Sequence, residues 1–416
     1  MTMNAKTFLK GAVVLTLSSL LMVQGALAQG GSRAAKDDAP PPNQIDQRTG
    51  EIMTKAIDAL NADKSAEART ILSELKLDKL SPYERSRVEQ MFFSLDVQEE
   101  KYDSARTHME AALASGGMTD QEISTGRYQL AQLWMQQEKW KEGAAALEEW
   151  LKTAVNPNGS VYYLLSVAYY SMDNFDAALP NARKAVDSSE TPQEGWLSLL
   201  SALLMQKEDY KGAIPVIQRL VNTYPAKKQY WMQLASVYAA LEDYKNALVV
   251  TQMANHAGLL TEGAEMQRLA DLMMAENMPY SAGEVVSKAI ADKKITPDLK
   301  TLDSLANYWI AAQEFRKALP VLEQAGALAD NGNNFFRLGE VNAQLSEWAA
   351  SEAAIRKALD KGGLRDQAYA QFMLGYALYN QEKYKDAKEW FERASSAQSQ
   401  RNNARAYMQL IDSKLN

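Results

Sequence analysis

The stretch ALEDYKNAL, residues 240–248, decides the fold because its shape recurs along most of the chain. MDNFDAAL (172–179), KEDYKGAI (207–214), AQEFRKAL (312–319) and QEKYKDAK (381–388) repeat it: polar residues, an aromatic, then a small residue three positions on. The aromatics are Tyr102, Trp140, Phe175, Tyr210, Tyr244, Tyr280, Phe315, Trp348 and Tyr384, spaced by 33 to 38 residues. The small partners are Ala105, Gly143, Ala178, Ala213, Ala247, Gly283, Ala318, Ser351 and Ala387. A fixed period of this size signals stacked supersecondary units, not separate globular domains.

Thirteen or fourteen residues before most of these aromatics lies a second pattern. YYLLSVAY (162–169), WMQLASVY (231–238) and FFRLGEVN (335–342) place a large residue, Leu, a small residue and another large residue at steps of 3, 1 and 3. Those steps lie on one face of a helix. Nine copies in register resemble the tetratricopeptide repeat, a pair of antiparallel helices in about 34 residues. The resemblance implies an all-α, right-handed superhelical solenoid, in which the small residues let paired helices meet and the aromatic opens the second helix. A tenth, degenerate copy begins the array, with Ser65 at the aromatic position and Ala68 at the small one. The expected organisation is a repeat array over 47–400 and a capping helix over 401–416, which would cover the apolar side of the tenth pair.

The beginning of the chain reads as an address. Lys6 and Lys10 precede the short apolar run GAVVLTLSSLLMV, and Ala26–Leu27–Ala28 supplies a small-x-small exit, so residues 1–28 are expected to be a cleaved secretory signal. Residues 29–46 are polar and proline-rich, a flexible lead-in. Removing the signal takes the formal charge from -7 to -9. That balance argues against nucleic acid as a partner, and no later apolar run is long enough to span a membrane. The absence of Cys from all 416 residues excludes thiol nucleophiles, disulfides and thiolate metal sites.

No catalytic constellation emerges. His108 and His256 are far apart in sequence and are read as solvated helix residues. Adjacent acids such as Glu99–Glu100 and Glu148–Glu149 diverge on a helix and are read as solvated faces. The glycine pairs 116–117 and 362–363 follow helices, where glycine supplies a left-handed exit. No enzyme activity, cofactor or metal is expected. Pro180, Pro215 and Pro320 share one phase about five residues after their aromatics, and a tolerated bend is expected at each.

The reading that remains is a binding surface. In tetratricopeptide proteins the first helix of each pair lines a concave wall, and the wall-facing phases are one, five and eight residues after the large residue opening the second pattern. Those phases give Tyr128, Gln132 and Met135; Tyr163, Val167 and Tyr170; Asp303, Asn307 and Ile310; Phe336, Glu340 and Ala343; and Phe372, Tyr376 and Tyr379. The candidate protein-binding groove is Tyr128, Tyr163, Tyr170, Asn307, Phe336, Phe372, Tyr376 and Tyr379. Aromatic rings with hydroxyls combine apolar area with a polar handle, a common recognition chemistry. Packing within the tight inner curve is the alternative for each ring.

From about residue 46 onward the chain also resembles a narrower group, the exported tetratricopeptide proteins associated with TonB, ExbB and ExbD of Gram-negative bacteria. YYLLSVAYYSMDNFDAALPNARKAV, YPAKKQYWMQLASVYAALEDYKNAL and NHAGLLTEGAEMQRLADLMM carry the likeness. It implies a periplasmic scaffold, an accessory factor of TonB-dependent outer-membrane transport, with TonB, ExbB or ExbD components or a TonB-dependent receptor as partners. A scaffold or chaperone of another envelope machine, and a saccharide-binding module, are the alternative readings.

Overall fold

The computed structural model describes residues 44–415. The secretory signal and most of the lead-in expected from the sequence lie outside the described residues. The α-helices follow one another along the chain as successive first and second helices. The pairs in chain order are α1 (Gln47–Asn61) with α2 (Ser65–Leu72), α3 (Pro82–Gln98) with α4 (Tyr102–Ala114), and α5 (Asp120–Gln136) with α6 (Trp140–Leu151). Next come α7 (Gly159–Ser171) with α8 (Phe175–Asp187), α9 (Glu194–Gln206) with α10 (Tyr210–Thr223), and α11 (Lys228–Ala240) with α12 (Tyr244–His256). Then follow α13 (Gly263–Ala275) with α14 (Pro279–Ala291), α15 (Leu299–Ala311) with α16 (Phe315–Leu328), and α17 (Asn333–Gln344) with α18 (Trp348–Lys361). The last pair is α19 (Gln367–Tyr379) with α20 (Tyr384–Ser395), followed by α21 (Arg401–Leu415). The described residues hold no strand, and ten pairs plus a last helix make the architecture a tetratricopeptide-type α-solenoid.

The described residues divide into two compact units, one ending at Leu220 and the other beginning at Val221, with the division inside α10. Within the first, Met53, Leu72, Val88 and Leu95 build a core between α1 and α3, and Met135, Leu147, Leu164 and Ala168 build another between α5 and α7. Within the second, Ile355, Leu374, Leu378, Phe391 and Ile411 join α18 through α21.

The aromatic at the heart of the repeated stretch is the first residue of the second helix in eight pairs; in α14, Pro279 takes that place and Tyr280 follows. Its partner three residues on is where helices meet. Ala68, Ala105, Ala178, Ala213, Ala247, Ala318, Ser351 and Ala387 are all fully buried. Close approach is visible in the hydrogen bonds, because Ser351 Oγ donates to the Gly339 carbonyl at 2.7 Å and Ser166 Oγ to the Ala178 carbonyl at 2.9 Å. The aromatics themselves vary. Trp348 meets Tyr376 of the next pair edge-on at 5.5 Å, and Tyr280 meets Trp309 of the next pair at 5.7 Å. Tyr379 and Tyr384 instead meet within one pair, and Tyr244 is 41% exposed.

The turn before each aromatic has a feature that the composition conceals. Asp63, Glu100, Glu138, Asp173, Glu208, Glu242, Asn277, Gln313, Ser346 and Glu382 all have φ between 55° and 62°. Each lies two residues before its second helix, in the left-handed region that L-residues enter at a cost. In ALEDYKNAL the Asp243 N–H donates to the Tyr238 carbonyl at 2.9 Å and the Glu242 N–H to the Ala239 carbonyl at 3.0 Å. This is a Schellman closure, which satisfies the last carbonyls of the first helix. Asp243 then caps the second helix, its carboxylate accepting from the Asn246 N–H at 3.1 Å. The glycine exits lie at the ends of second helices: Gly116, Gly362 and Gly363 have positive φ, as expected. Gly117 does not, and its role is proximity, since a Cβ there would lie 2.1 Å from the Pro82 carbonyl oxygen. Pro180, Pro215 and Pro320 lie inside α8, α10 and α16, exposed, and the helices continue beyond them.

Candidate functional site

In the first unit the wall-facing phases are largely closed by packing. Met135 and Val167 are buried, and so is Tyr163, its ring 6.3 Å from Trp196. A ring at that phase fills the space over Gly195, where a Cβ would meet the Tyr163 hydroxyl at 3.1 Å. Burial pushes the Tyr163 phenol up from its ordinary value. Tyr128 is half-buried against Trp150 at 5.1 Å, and Tyr170 is half-buried against Phe175 at 5.6 Å. Burial raises both phenols as well, so all three remain neutral at physiological pH. Of the three, Tyr128 and Tyr170 retain accessible ring surface, whereas Tyr163 is a packing residue in this conformation.

In the second unit the same phases gather into two clusters. Phe336, Phe372, Tyr376 and Tyr379 all pack, half-buried, on the core between α18 and α21. Phe336 meets Tyr369 edge-on at 5.5 Å. Phe372, Tyr376 and Tyr379 converge on one ring that the wall phases did not identify: Tyr407 of α21, at 5.8, 5.6 and 5.3 Å. Tyr407 also stacks on Phe391 at 5.1 Å with an interplanar angle of 18°. The signal for it lay in RNNARAYMQLIDSKL, outside the repeat pattern, where Ala404, Tyr407, Met408 and Ile411 recur at helical spacing.

The other cluster is polar. Asn307, exposed on α15, accepts a hydrogen bond from Arg337 of α17. Arg337 also reaches Asn334 at 3.4 Å and lies 3.7 Å from Asp303. Burial of its guanidinium lowers its pKa from the ordinary value. One turn along, burial raises the Glu340 carboxyl, which bonds to Tyr369, with attraction to Arg337 opposing the rise. On α13 and α15, Tyr308 donates to Asp271 at 2.5 Å, and burial with that carboxylate pushes its phenol up. Donors and acceptors along successive first helices suit directional contacts with another chain. Among the described residues no group of three or more His, Asp or Glu side chains is placed to hold a metal ion, and no helix is long and apolar enough to cross a membrane.

His108 requires a correction. The sequence reads it as solvated, but its ring is only 25% exposed and lies between two buried carboxylates. Nδ1 is 2.6 Å from Glu89 Oε2, Nε2 is 3.6 Å from Asp96 Oδ2, and the ring stacks on Phe92 at 4.9 Å. Arg69 of α2 donates to the fully buried Asp96 at 2.6 Å and to Glu99 at 2.9 Å. Glu99 is likewise no free surface acid: hydrogen bonding to Lys101, with Arg69 nearby, holds it below the usual carboxylate range. His256, by contrast, is exposed. The first network ties α2, α3 and α4 together.

Family models match the chain in two places. Residues 52–261, just over half of it, match ChAPs (Chs5p-Arf1p-binding proteins), and residues 336–402 match the tetratricopeptide repeat. No curated protein sequence matches. Similar solved structures include a tetratricopeptide repeat protein from Parabacteroides merdae, 13% identical, covering 71% of this chain and 99% of that one with a TM-score of 0.35. YrrB, a TPR protein with an unusual peptide-binding site, is 19% identical over 46% of this chain and 97% of its own, with a TM-score of 0.35. The TPR2AB-domain:pHSP90 complex of yeast Sti1 is 16% identical over 61% and 96%, with a TM-score of 0.32.

Proposed function

We propose that this chain, which is a tetratricopeptide repeat protein and belongs over residues 52–261 to the ChAPs family, is a non-catalytic scaffold exported to the periplasm as an accessory factor of TonB-dependent outer-membrane transport. The observation that carries the scaffold role is the alignment of Phe336, Phe372, Tyr376 and Tyr379 on the first helices of consecutive pairs, beside the directional polar cluster around Arg337. Tyrosines, amides and half-buried charges are suited to recognition, where hydrogen-bond geometry selects a partner and aromatic area holds it. The ChAPs description names proteins that those relatives bind; what it supports for this chain is an adaptor role, not those partners.

Export is supported by the charged, apolar and small-residue pattern of residues 1–28. The TonB connection is supported by the resemblance of the repeat phrases to the exported group associated with TonB, ExbB and ExbD. Crosslinking in intact cells, followed by identification of captured proteins, tests both. Capture of TonB, ExbB, ExbD or a TonB-dependent receptor is the expected result, and recovery of none sinks the TonB assignment. Components of polysaccharide export or outer-membrane assembly would move the protein to another envelope machine. Competition by an oligosaccharide would favour a saccharide-binding module. A folded Tyr376→Ala/Tyr379→Ala double variant with undiminished capture would remove the aromatic cluster from the interface.

A further inference from the structure

The aromatic face of α19 already carries a helix. Phe372, Tyr376 and Tyr379 lie on one side of α19, and what covers them is Tyr407 of α21. Four residues on, Ile411 is fully buried in the same core. Seven residues on, the Lys414 ammonium lies over the Tyr379 and Tyr384 rings, 5.3 and 5.2 Å from their centroids, and 3.2 Å from the Tyr384 hydroxyl. Tyr407, Ile411 and Lys414 thus form one stripe at steps of four and three, an aromatic, an aliphatic and a cation, each with its own receptor on α19 and α20.

The helix is also lightly held. Ala404 and Ile411 are its buried residues, while Leu410 and Leu415 remain 48% and 51% exposed. Its polar ties are near the surface: Lys388 to Asp412 at 2.5 Å, both partly exposed, and Arg401 to the carbonyls of Ser395 and Ser396 at 3.3 and 3.4 Å. Elements with few buried contacts and exposed ties open locally at low free energy.

We propose that α21 is a detachable helix occupying, in cis, the place where the array receives a partner helix, and that this partner carries the same stripe: an aromatic, an aliphatic four residues on, and Lys or Arg seven residues on. This rests on the reading of the array as a partner-binding scaffold. While α21 is docked the three rings are shared with Tyr407; a competing helix gains them only as α21 leaves, so binding and release are coupled.

The test uses the full chain and a fluorescein-labelled synthetic peptide of residues 400–416, and needs no knowledge of the natural partner. Hydrogen exchange of the wild-type chain should show α21 amides exchanging at least tenfold faster than those of α19 and α20. Exchange of α21 together with α19 and α20 overturns the proposal. The Tyr407→Ala full chain should bind the peptide at least tenfold more tightly than wild type, and a peptide lacking the tyrosine should lose that gain. Equal affinity of the two chains, with the variant's helicity intact, also overturns it. Failure here leaves the scaffold reading standing, whereas failure to capture a TonB component in cells leaves the detachable helix standing.

Discussion

Replacing Glu242 by glycine should stabilise the protein, and replacing it by alanine should not. Glu242 is exposed and has φ of 58°. Holding a residue with a Cβ in this region costs roughly 1–2 kcal/mol, which glycine escapes. Glycine loses more freedom on folding, worth about 0.5–1 kcal/mol against it. The difference leaves a gain of about 0.5–1 kcal/mol for Glu242→Gly, with Glu242→Ala close to neutral. Three residues on, Lys245 is exposed in the right-handed helix α12, and there the order inverts: glycine should be worse than alanine by about 1 kcal/mol. The assay is urea denaturation followed by far-UV circular dichroism, comparing midpoints at equal slope. Arrays of repeats depart from a single transition, so hydrogen exchange of α11 and α12 supplies the local value. An Ala-over-Gly preference at both positions would refute the reasoning, because the sign must flip with the backbone region. The Glu208→Gly and Glu382→Gly gains should add to it, the three turns being separate in sequence and each in its own repeat.

Asp96→Ala should cost about 3 kcal/mol, because it strands the Arg69 guanidinium beside Glu99 and takes the Asp96 acceptor from the His108 edge; the loss should appear in the urea midpoint and as faster exchange in α2 to α4. Glu340→Gln should raise stability at pH 7.5 and leave it unchanged near pH 4. Burial raises the Glu340 pKa in the folded protein, so its favourable contribution is full below the unfolded value and is lost as pH rises through the folded one. An equal gain at both pH values would contradict that sign. Gly283→Ala should destabilise by roughly 1–3 kcal/mol, since the new Cβ would lie 2.7 Å from the buried Trp309 ring; a midpoint matching wild type would show that the ring yields freely.

The repeat architecture was legible because period and phase are one-dimensional. The spacing of Tyr244 and its equivalents located the start of the second helices, and Ala247 and its equivalents located the contact points. The left-handed turn was not legible, because Glu242, Gln313 and Glu382 look like ordinary solvated residues; the conformation is imposed by the Schellman closure around them. Phase alone also could not separate Tyr163 from Tyr376. Both occupy wall positions, but Trp196 covers the first, whereas Tyr407 meets the second from a helix outside the pattern. His108 was misread for a related reason: Glu89 and Asp96 come from the preceding helix, and nothing in local spacing announces that two buried carboxylates will meet its ring.

Within each unit the contacts run mainly from one helix to the next along the chain, and otherwise to the next but one, as from Arg337 to Asn307. Such a ladder has no distant tie that must break before everything else. Under tension it would therefore yield one pair at a time. With a repeat of 33 to 38 residues and about 3.5 Å of extended chain per residue, each lost pair would lengthen the molecule by on the order of 120 Å. A pulled array would act as a series of mechanical fuses, giving way locally under load while the remaining pairs keep their shape.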